Sequence, residues 1–471
     1  MSEGLYMTDF SSRVLNKVRD NMESKYGNRG FTALKYYRKD PDTIPIYKRT
    51  SISPIRQANL VNAHADFMSS IVNQKVGYLG TLNVVFNNEM LNPSLSNRVN
   101  DWWDYVKISN QFELKNPETV RWTTIEGISH RLIYLKEGEI RFKNLHSWQV
   151  AYEYDDNIFD ATRAFVYFEK TDLEGKTTEY CHVYDDEMVS YYTKYNNGWI
   201  SYTPEGATGS TEEHMIGMLP LVPFLNNEFM VGDCNPNVLR NINIYDEVQS
   251  DVLSEIKAFR NALLKIFGDV VPEGIEPADL PVYITETGAF MIKTDDEGKP
   301  LGDVEFLQKV VDDAMIEHNL DRMRDQIFSD AQAVDEKSIT LGANTRVIAI
   351  KAMFDKLERK VETFIKYYNS SIRRQFEIIF SLSEKGFLSD FVINEQEKWQ
   401  LLTALDITYD HKELTDPMDV ARMHEINIKT MSLEDAFSLH PDANHDPIGF
   451  AERYRQQIDS ETIGINQLGI E

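Results

Sequence analysis

The chain has 471 residues, 42% of them apolar, and its 75 acidic against 49 basic side chains give a formal net charge of −26. That length can bury a large core in two or more domains, while the charge argues against a protein that grips nucleic acid by neutralising phosphates. It leaves room for a surface that nucleic acid passes without sticking. Cys181 and Cys234 stand far apart and in no metal-like spacing, which predicts reduced, buried, inert thiols. Residues 1–10 lack a basic segment followed by an apolar run, and no stretch approaches the roughly 18 apolar residues of a membrane span, so neither a secretory signal nor a transmembrane helix is expected. The expectation is a soluble intracellular product.

Residues 1–50 are polar and mixed, with a helix predicted over 10–26 and extended pieces near Pro41 and Pro45. Ser53-Pro54 opens a predicted helix on which Leu60, His64, Phe67, Met68, Ile71, Val72 and Lys75 share helical spacing, up to stop signals at Gly77 and Gly80. His64 on that apolar side reads as a core histidine rather than a ligand. Residues 81–86 read as a strand and 97–112 as a helix. Its Trp102-Trp103 pair reads as packing, since no interleaved Lys or Arg makes it a base-stacking platform. From about 121 to 202 the period switches to two, through segments such as 163–170, 177–184 and 187–195. Turn residues at 155–157, 173–175 and 196–198 break them, which predicts an antiparallel sheet. A flexible connection at 206–211 leads to the run 219–228.

A long helix is predicted over 236–267, with Val238, Ile242, Tyr245, Val248, Val252, Ile256, Phe259, Leu263 and Ile266 on one stripe and Glu247, Asp251 and Glu255 four residues apart. Residues 268–307 form a turn-rich insert with short strands predicted at 282–285 and 289–294. A second helix follows over 308–332, with Ile316, Leu320, Met323 and Ile327 on its apolar stripe and Asp313, Glu317, Asp321 and Asp325 in a row beside it. Like charges at that spacing destabilise an isolated helix by a few tenths of a kcal/mol per pair. The row is either an ordinary solvated face or serves something outside the chain. A polar loop, roughly 334–342, precedes Asn344-Thr345, which caps a helix predicted over 345–381. At ~1.5 Å per residue that helix would be about 55 Å long, several-fold longer than the average. A strand at 406–409, a helix from Asp416-Pro417 to about 431, a short helix capped by Ser432 and a last helix near 448–458 complete an α+β chain.

Motifs for chemistry are missing. The sequence holds no G-x-x-x-x-G-K-[ST], G-x-S-x-G, H-E-x-x-H or paired C-x-x-C. Asp442, Asn444 and Asp446 imitate the first ligands of a calcium loop, but Pro447 replaces the turn glycine and Arg453 the bidentate glutamate. No catalytic residue, cofactor or metal is expected. Two other readings stay open from the residues alone: a metal-dependent nuclease or hydrolase using clustered carboxylates, and a monomeric scaffold without a central hole.

Several strings, in this order along the chain, carry a resemblance. They are Asn59-Leu60-Val61-Asn62, then Gln74-Lys75-Val76-Gly77-Tyr78-Leu79-Gly80, then 219–228, then Ser329-Asp330-Ala331-Gln332-Ala333-Val334-Asp335 followed by Gly342-Ala343-Asn344. Together with the element order they resemble the portal proteins of tailed bacteriophages, in particular the family typical of long-tailed siphovirus-like phages. The resemblance implies a portal-type fold: a wing (1–235), stem helices (236–267 and 308–332), a clip (268–307), a tunnel loop (333–344), a long wing helix with its continuation (345–405) and a crown (406–471). It implies a ring, usually of twelve subunits, at the capsid's portal vertex in the virion, assembled in the host cytoplasm without a membrane. Double-stranded DNA would be packaged and ejected through it. Partners would be the terminase large subunit, a head-completion adaptor, and the major capsid and scaffolding proteins.

On that reading twelve helices packed ~8–10 Å apart enclose a bore of roughly 28 Å, wide enough for duplex DNA. An acidic wall would repel the phosphates and let DNA slide. Glu247, Asp251, Glu255, Asp313, Glu317, Asp321 and Asp325 are the candidate lining, with Arg322 and Arg324 pairing with neighbouring acids or acting as a weak ratchet. Asp335, Glu336, Lys337, Ser338, Ile339, Thr340, Leu341 and Gly342 are the candidate tunnel loop, Lys337 touching phosphate and Gly342 giving a hinge. Tyr283, Phe290, Met291 and Ile292 in the clip are the candidate contacts to terminase and adaptor.

Overall fold

The structure, a computed structural model, describes residues 10, 12–22, 28–51, 54–87, 90–154, 161–196, 198–259, 264–268, 294, 297, 299–300, 302–306, 313–335, 337, 347–388, 391–409, 425–439 and 448–456. The chain divides into two units, residues 1–335 with 356–410, and residues 336–355 with 411–471. Helix and sheet are mixed, as the α+β reading expected. Among the described residues no helix is long and apolar enough to cross a membrane.

In the larger unit, helices α1 (Ser12–Met22), α2 (Asn28–Tyr37), α3 (Pro54–Asn59) and α4 (Phe67–Leu79) lead to strand β1 (Leu82–Phe86). The single helix expected from Ser53 onward is therefore two, with residues 60–66 outside either. Asp66 caps α4 by accepting the Ser69 N–H (3.4 Å). The gap is not empty of structure, because its backbone is hydrogen-bonded elsewhere, as described below.

Asn92 caps α5 (Pro93–Ser109), with Pro93 in the first turn where its missing N–H costs nothing. Helix α6 (Phe112–Glu126) corrects a second expectation, since residues 121–126 are helical rather than strand. Asn116, Thr119, Val120, Thr123, Thr124 and Ile125 are all buried, and although Glu113, Leu114 and Pro117 are exposed, the helix from Thr119 onward is covered on nearly every side and shows no amphipathic period there. Its threonines return their hydroxyls to carbonyls four residues back, Thr119 to Lys115 (2.9 Å) and Thr123 to Thr119 (2.7 Å). Gly127 ends it at φ +89°, where a Cβ would lie 2.3 Å from the Met230 carbonyl oxygen.

Strands β2 (Ile128–Lys136) and β3 (Glu139–Leu145) form a three-stranded antiparallel sheet with β10 (Leu221–Leu225), in the order β10-β2-β3. The alternating segment between them gives β4 (Val150–Tyr154), β5 (Ala161–Thr171), β6 (Thr177–Tyr184), β7 (Met188–Tyr195), β8 (Gly198–Ser201) and β9 (Thr211–Glu213). They make the expected antiparallel sheet, with β9 also paired to β7. Helix α1 lies on it: Leu15 and Met22 pack with Phe165, Cys181, Val183 and Trp199, and the Ser12 hydroxyl both accepts the Trp199 N–H (2.7 Å) and donates to its carbonyl (3.0 Å). Both cysteines are buried and free.

Helix α7 (Pro236–Phe259) is shorter than expected. Residues 264–267, read as its end, belong to strand β11 (Leu264–Gly268), antiparallel to β12 (Gly302–Phe306). Leu264, Ile266 and Phe267, with Lys265 between them, fit a period of two as readily as 3.6, and cross-strand pairing supplies the backbone hydrogen bonds. The clip strands expected at 282–285 lie outside the described residues, as do those at 289–294 apart from Thr294, which bridges Pro300. Helix α8 (Asp313–Asp330) follows, then a helix of 38 residues, α9 (Val347–Glu384), close to the long helix expected. From Lys356 onward α9 belongs to the larger unit, and Leu357, Val361, Phe364, Tyr368, Ile372, Phe376 and Ile379 along it are at most 1% exposed.

An aromatic cluster surrounds that helix. Trp102 stacks on Phe391 (4.5 Å), and Trp103 meets Phe376 (4.8 Å) and Phe112 (5.2 Å), so the tryptophan pair is packing as expected. Arg131 of β2 is fully buried and reaches Gln375 of α9 (2.7 Å), Thr119 (2.6 Å) and Asn144 (3.0 Å), tying helix to sheet. After α10 (Glu395–Ala404), β13 (Leu405–Tyr409) returns to pair with β1. The smaller unit contains helical residues 425–430, the helix Leu433–Ser438 capped by Ser432 as expected, and helical residues 448–456, with Phe437 and Ala451 buried against Leu433, Phe450 and Tyr454.

Candidate functional site

Asn235 starts α7, its Oδ1 accepting the N–H groups of Asn237 (2.9 Å) and Val238 (3.1 Å) ahead of a first-turn proline. The first turns of α7 lie beside the last turns of α8. Asp330 accepts hydrogen bonds from Asn237 (3.3 Å) and Asn241 (3.1 Å), and Val238 and Ile242 share a core with Ile327, Phe328 and Ala331. Phe67 of α4 closes that core edge-on to Tyr245 (4.9 Å) and Phe328 (5.8 Å). Burial fades away from this end: Ile316, Leu320 and Met323 are half-buried, and Ile256, expected on the apolar stripe, is exposed.

Two stripes of α7 have opposite fates. Asp246, Ser250 and Ser254, each four residues apart, face the extended residues 61–65. Ser254 accepts the Val61 N–H (2.9 Å), Ser250 the Ala63 N–H (2.9 Å) and Asp246 the Ala65 N–H (2.8 Å). Ser250 donates back to the Ala63 carbonyl (3.2 Å), while the one proton of Ser254 goes to the Ser250 carbonyl a turn back (2.7 Å). This side-chain ladder replaces the helical hydrogen bonds that residues 61–65 forgo. His64 within it is a core histidine, as expected, its Nδ1 lying 2.5 Å from buried Asp246 Oδ2.

Glu247, Asp251 and Glu255 each follow a ladder residue by one position, about 100° around the helix. Glu247 and Asp251 are exposed, Glu255 is half-buried, and Asp251 is ion-paired to Arg49. On α8, Glu317, Asp321 and Asp325 are all exposed, and Asp313 opens the helix with its side chain outside the described residues. The helix carries five carboxylates and two guanidiniums. Arg322 is exposed, whereas Arg324 turns inward and binds Asp335 through two hydrogen bonds (2.5 and 2.6 Å), which hold its guanidinium above its ordinary pKa. One of the two positive charges is thus neutralised locally, and the outer face of α8 is left strongly acidic. Water screens such a row, so its repulsion costs little.

The chain leaving α8 is pinned. The Gln74 side chain pairs with Val334 twice, donating to its carbonyl (2.9 Å) and accepting its N–H (2.8 Å), and buried Asp335 is held by Arg324. Lys337 is exposed. Glu336, Ser338, Ile339, Thr340, Leu341 and Gly342 lie outside the described residues, as do Tyr283, Phe290, Met291 and Ile292.

Sequence reasoning missed a buried ion cluster beside this node. Lys75 of α4 donates to Asn226 (2.6 Å) and lies 3.2 Å from Asp233, whose other oxygen is 2.6 Å from Lys360 of α9. Its signal was a lone lysine in an apolar stripe. Three of the strings noted above, around 74–80, 219–228 and 329–335, meet here through Gln74, Lys75, Asn226 and Val334.

Against known proteins, the model of the family described as phage portal protein, SPP1 Gp6-like, matches residues 28–462. The portal protein of Bacillus phage SPP1 is 24% identical over 319 residues, an alignment covering 65% of this chain and 59% of that relative. The chain thus spans less than two thirds of the length of the relative it matches.

Proposed function

This chain belongs to the SPP1 Gp6-like family of phage portal proteins, and from that premise we propose that it is itself a portal subunit. It assembles with further copies into a ring at one capsid vertex, and double-stranded DNA enters and leaves through the axial hole. The match across residues 28–462 carries this reading. The exposed carboxylates of α7 and α8 and the net charge of −26 support the finer part, in which Glu247, Asp251, Glu255, Asp313, Glu317, Asp321 and Asp325 face the passing duplex. A wall of like charge repels phosphates and avoids the counterion-release binding that would brake DNA. Asp335, expected in the loop, is instead buried against Arg324 and drops out of it; residues 336–342 are proposed to reach toward the duplex, and Tyr283, Phe290, Met291 and Ile292 to meet the terminase and then the adaptor. No step in this function requires catalysis by the chain; the motor's ATP hydrolysis is the terminase's.

The test is imaging of purified protein by negative-stain electron microscopy. Rings with an axial hole, most often of twelve copies, are expected. Particles without a hole would overturn the reading.

A further inference from the structure

The ion cluster at Asp233 does not balance. Lys75 and Asp233 have side chains 1% exposed and Lys360 13%, so two ammonium groups share one carboxylate in a nearly dry site. The rest of their contacts are neutral: the Asn226 side chain, the Ala331 carbonyl (2.6 Å from Lys360) and the Phe364 ring, 4.2 Å from Lys75. Burial, only partly offset by Asp233 and reinforced by Lys360, pushes Lys75 down to about 8. Excess positive charge in low dielectric attracts an anion strongly.

The cluster opens into a cleft of about 750 Å³, within the size range of small-molecule sites. Lys356 and Arg359 of α9 line the same cleft, while its one other acidic lining residue, Asp330, already accepts from two asparagines. Gln332 and Asn227 add neutral polar groups. Lys75, Lys360 and Lys356, the last 3.3 Å from the neutral Ser329 hydroxyl, set three ammonium groups against Asp233 and Asp330, which runs against the composition of a chain with net charge −26. Cations spread around a cleft suit an oxyanion carrying several charges better than a single carboxylate.

We propose that this cleft, between the exit of α8 and the long helix, binds a phosphate-class oxyanion. The source is either free phosphate and its esters or the phosphodiester of nucleic acid. The inference goes beyond the portal reading, because it rests on the charges of one chain and would hold if no ring formed.

Two probes on the full-length protein test it: inorganic pyrophosphate, read by thermal unfolding against sodium chloride at matched ionic strength, and a fluorescent DNA duplex, read by anisotropy. Pyrophosphate is expected to raise Tm by a few degrees beyond chloride, as ligand binding to the native state must. The shift should vanish in K356A/R359A and persist in the outer-face control Glu362→Gln. Duplex binding lost in the same double variant, without a pyrophosphate shift, also supports the site and assigns the phosphodiester as its source. Absence of both responses, or responses that survive in the double variant, overturns the proposal. Ring imaging is independent of either result.

Discussion

Lys75 shows what one charge does to a core. It stands among Met68, Ile71 and Val72, all at most 1% exposed, where an unpaired ammonium would be excluded. Asp233 makes the position tenable. Burial alone would raise the carboxyl, but Lys360, Lys75 and Asn226 more than reverse this and leave it below its ordinary pKa. Asp233→Asn would leave two buried ammoniums with no counter-charge. A loss of about 3–5 kcal/mol is expected in urea unfolding, the range for breaking a buried pair from one side. The pH dependence has a definite sign. Lys75 titrates near 8 when folded and near 10.5 when unfolded, so between those values the unfolded chain binds the extra proton and stability contributed at this residue rises with pH. Below about 8 both states hold the proton and the full cost of burial applies. Urea unfolding at pH 7.5 and at pH 10, compared between the natural chain and Lys75→Met, should show that rise only in the former; equal slopes would remove Lys75 from the account.

The ladder on α7 links one helix to an extended strand of chain with side chains alone. Each rung satisfies a backbone N–H that neither a helix nor a sheet serves, at Val61, Ala63 and Ala65. Ser250→Ala with Ser254→Ala would strip two rungs, and an unmet buried donor costs about 1–3 kcal/mol. The double variant should lose roughly 2–4 kcal/mol, with faster amide exchange concentrated at Val61 and Ala63. Loss spread evenly over α7 would instead mean a general weakening of the helix. This ladder also marks where the sequence stops being legible. Leu60, His64 and Phe67 keep helical spacing across a segment that is not helical, because Asp246, Ser250 and Ser254, about 190 residues away, decide its hydrogen bonds. Residues 121–126 were obscured for the opposite reason, since this half of α6 is covered on nearly every side and has no period to read. The strands between residues 150 and 201, the tryptophan pair, the Ser432 cap and the long helix were legible because each announces itself locally, through alternation, turn residues or a cap. The Asp233 cluster was not, since its members are 75, 233 and 360.

At the level of the whole chain, charge is the property that sequence states most directly and that structure refines most. Glu317, Asp321 and Asp325 read as a solvated row and are exposed, while Arg324, which could have diluted the row, is drawn inward by Asp335. Asp251 keeps a local partner in Arg49, so α8 offers the cleaner test of the proposed DNA-facing surface. Glu317→Lys with Asp321→Lys exchanges two negative for two positive charges on each copy, on a face whose side chains support no buried core. Folding should therefore be nearly unchanged, while the surface turns from repelling phosphates to binding them. Duplex DNA affinity should rise and acquire a salt dependence, log K falling by about 0.9 per log unit of salt for each phosphate neutralised. In a packaging assay with the cognate motor, translocation should slow, and slow most at low salt. If the reversed protein packaged and ejected DNA at the natural rate at every salt concentration, these carboxylates would not face the duplex. The row would then be only a soluble surface.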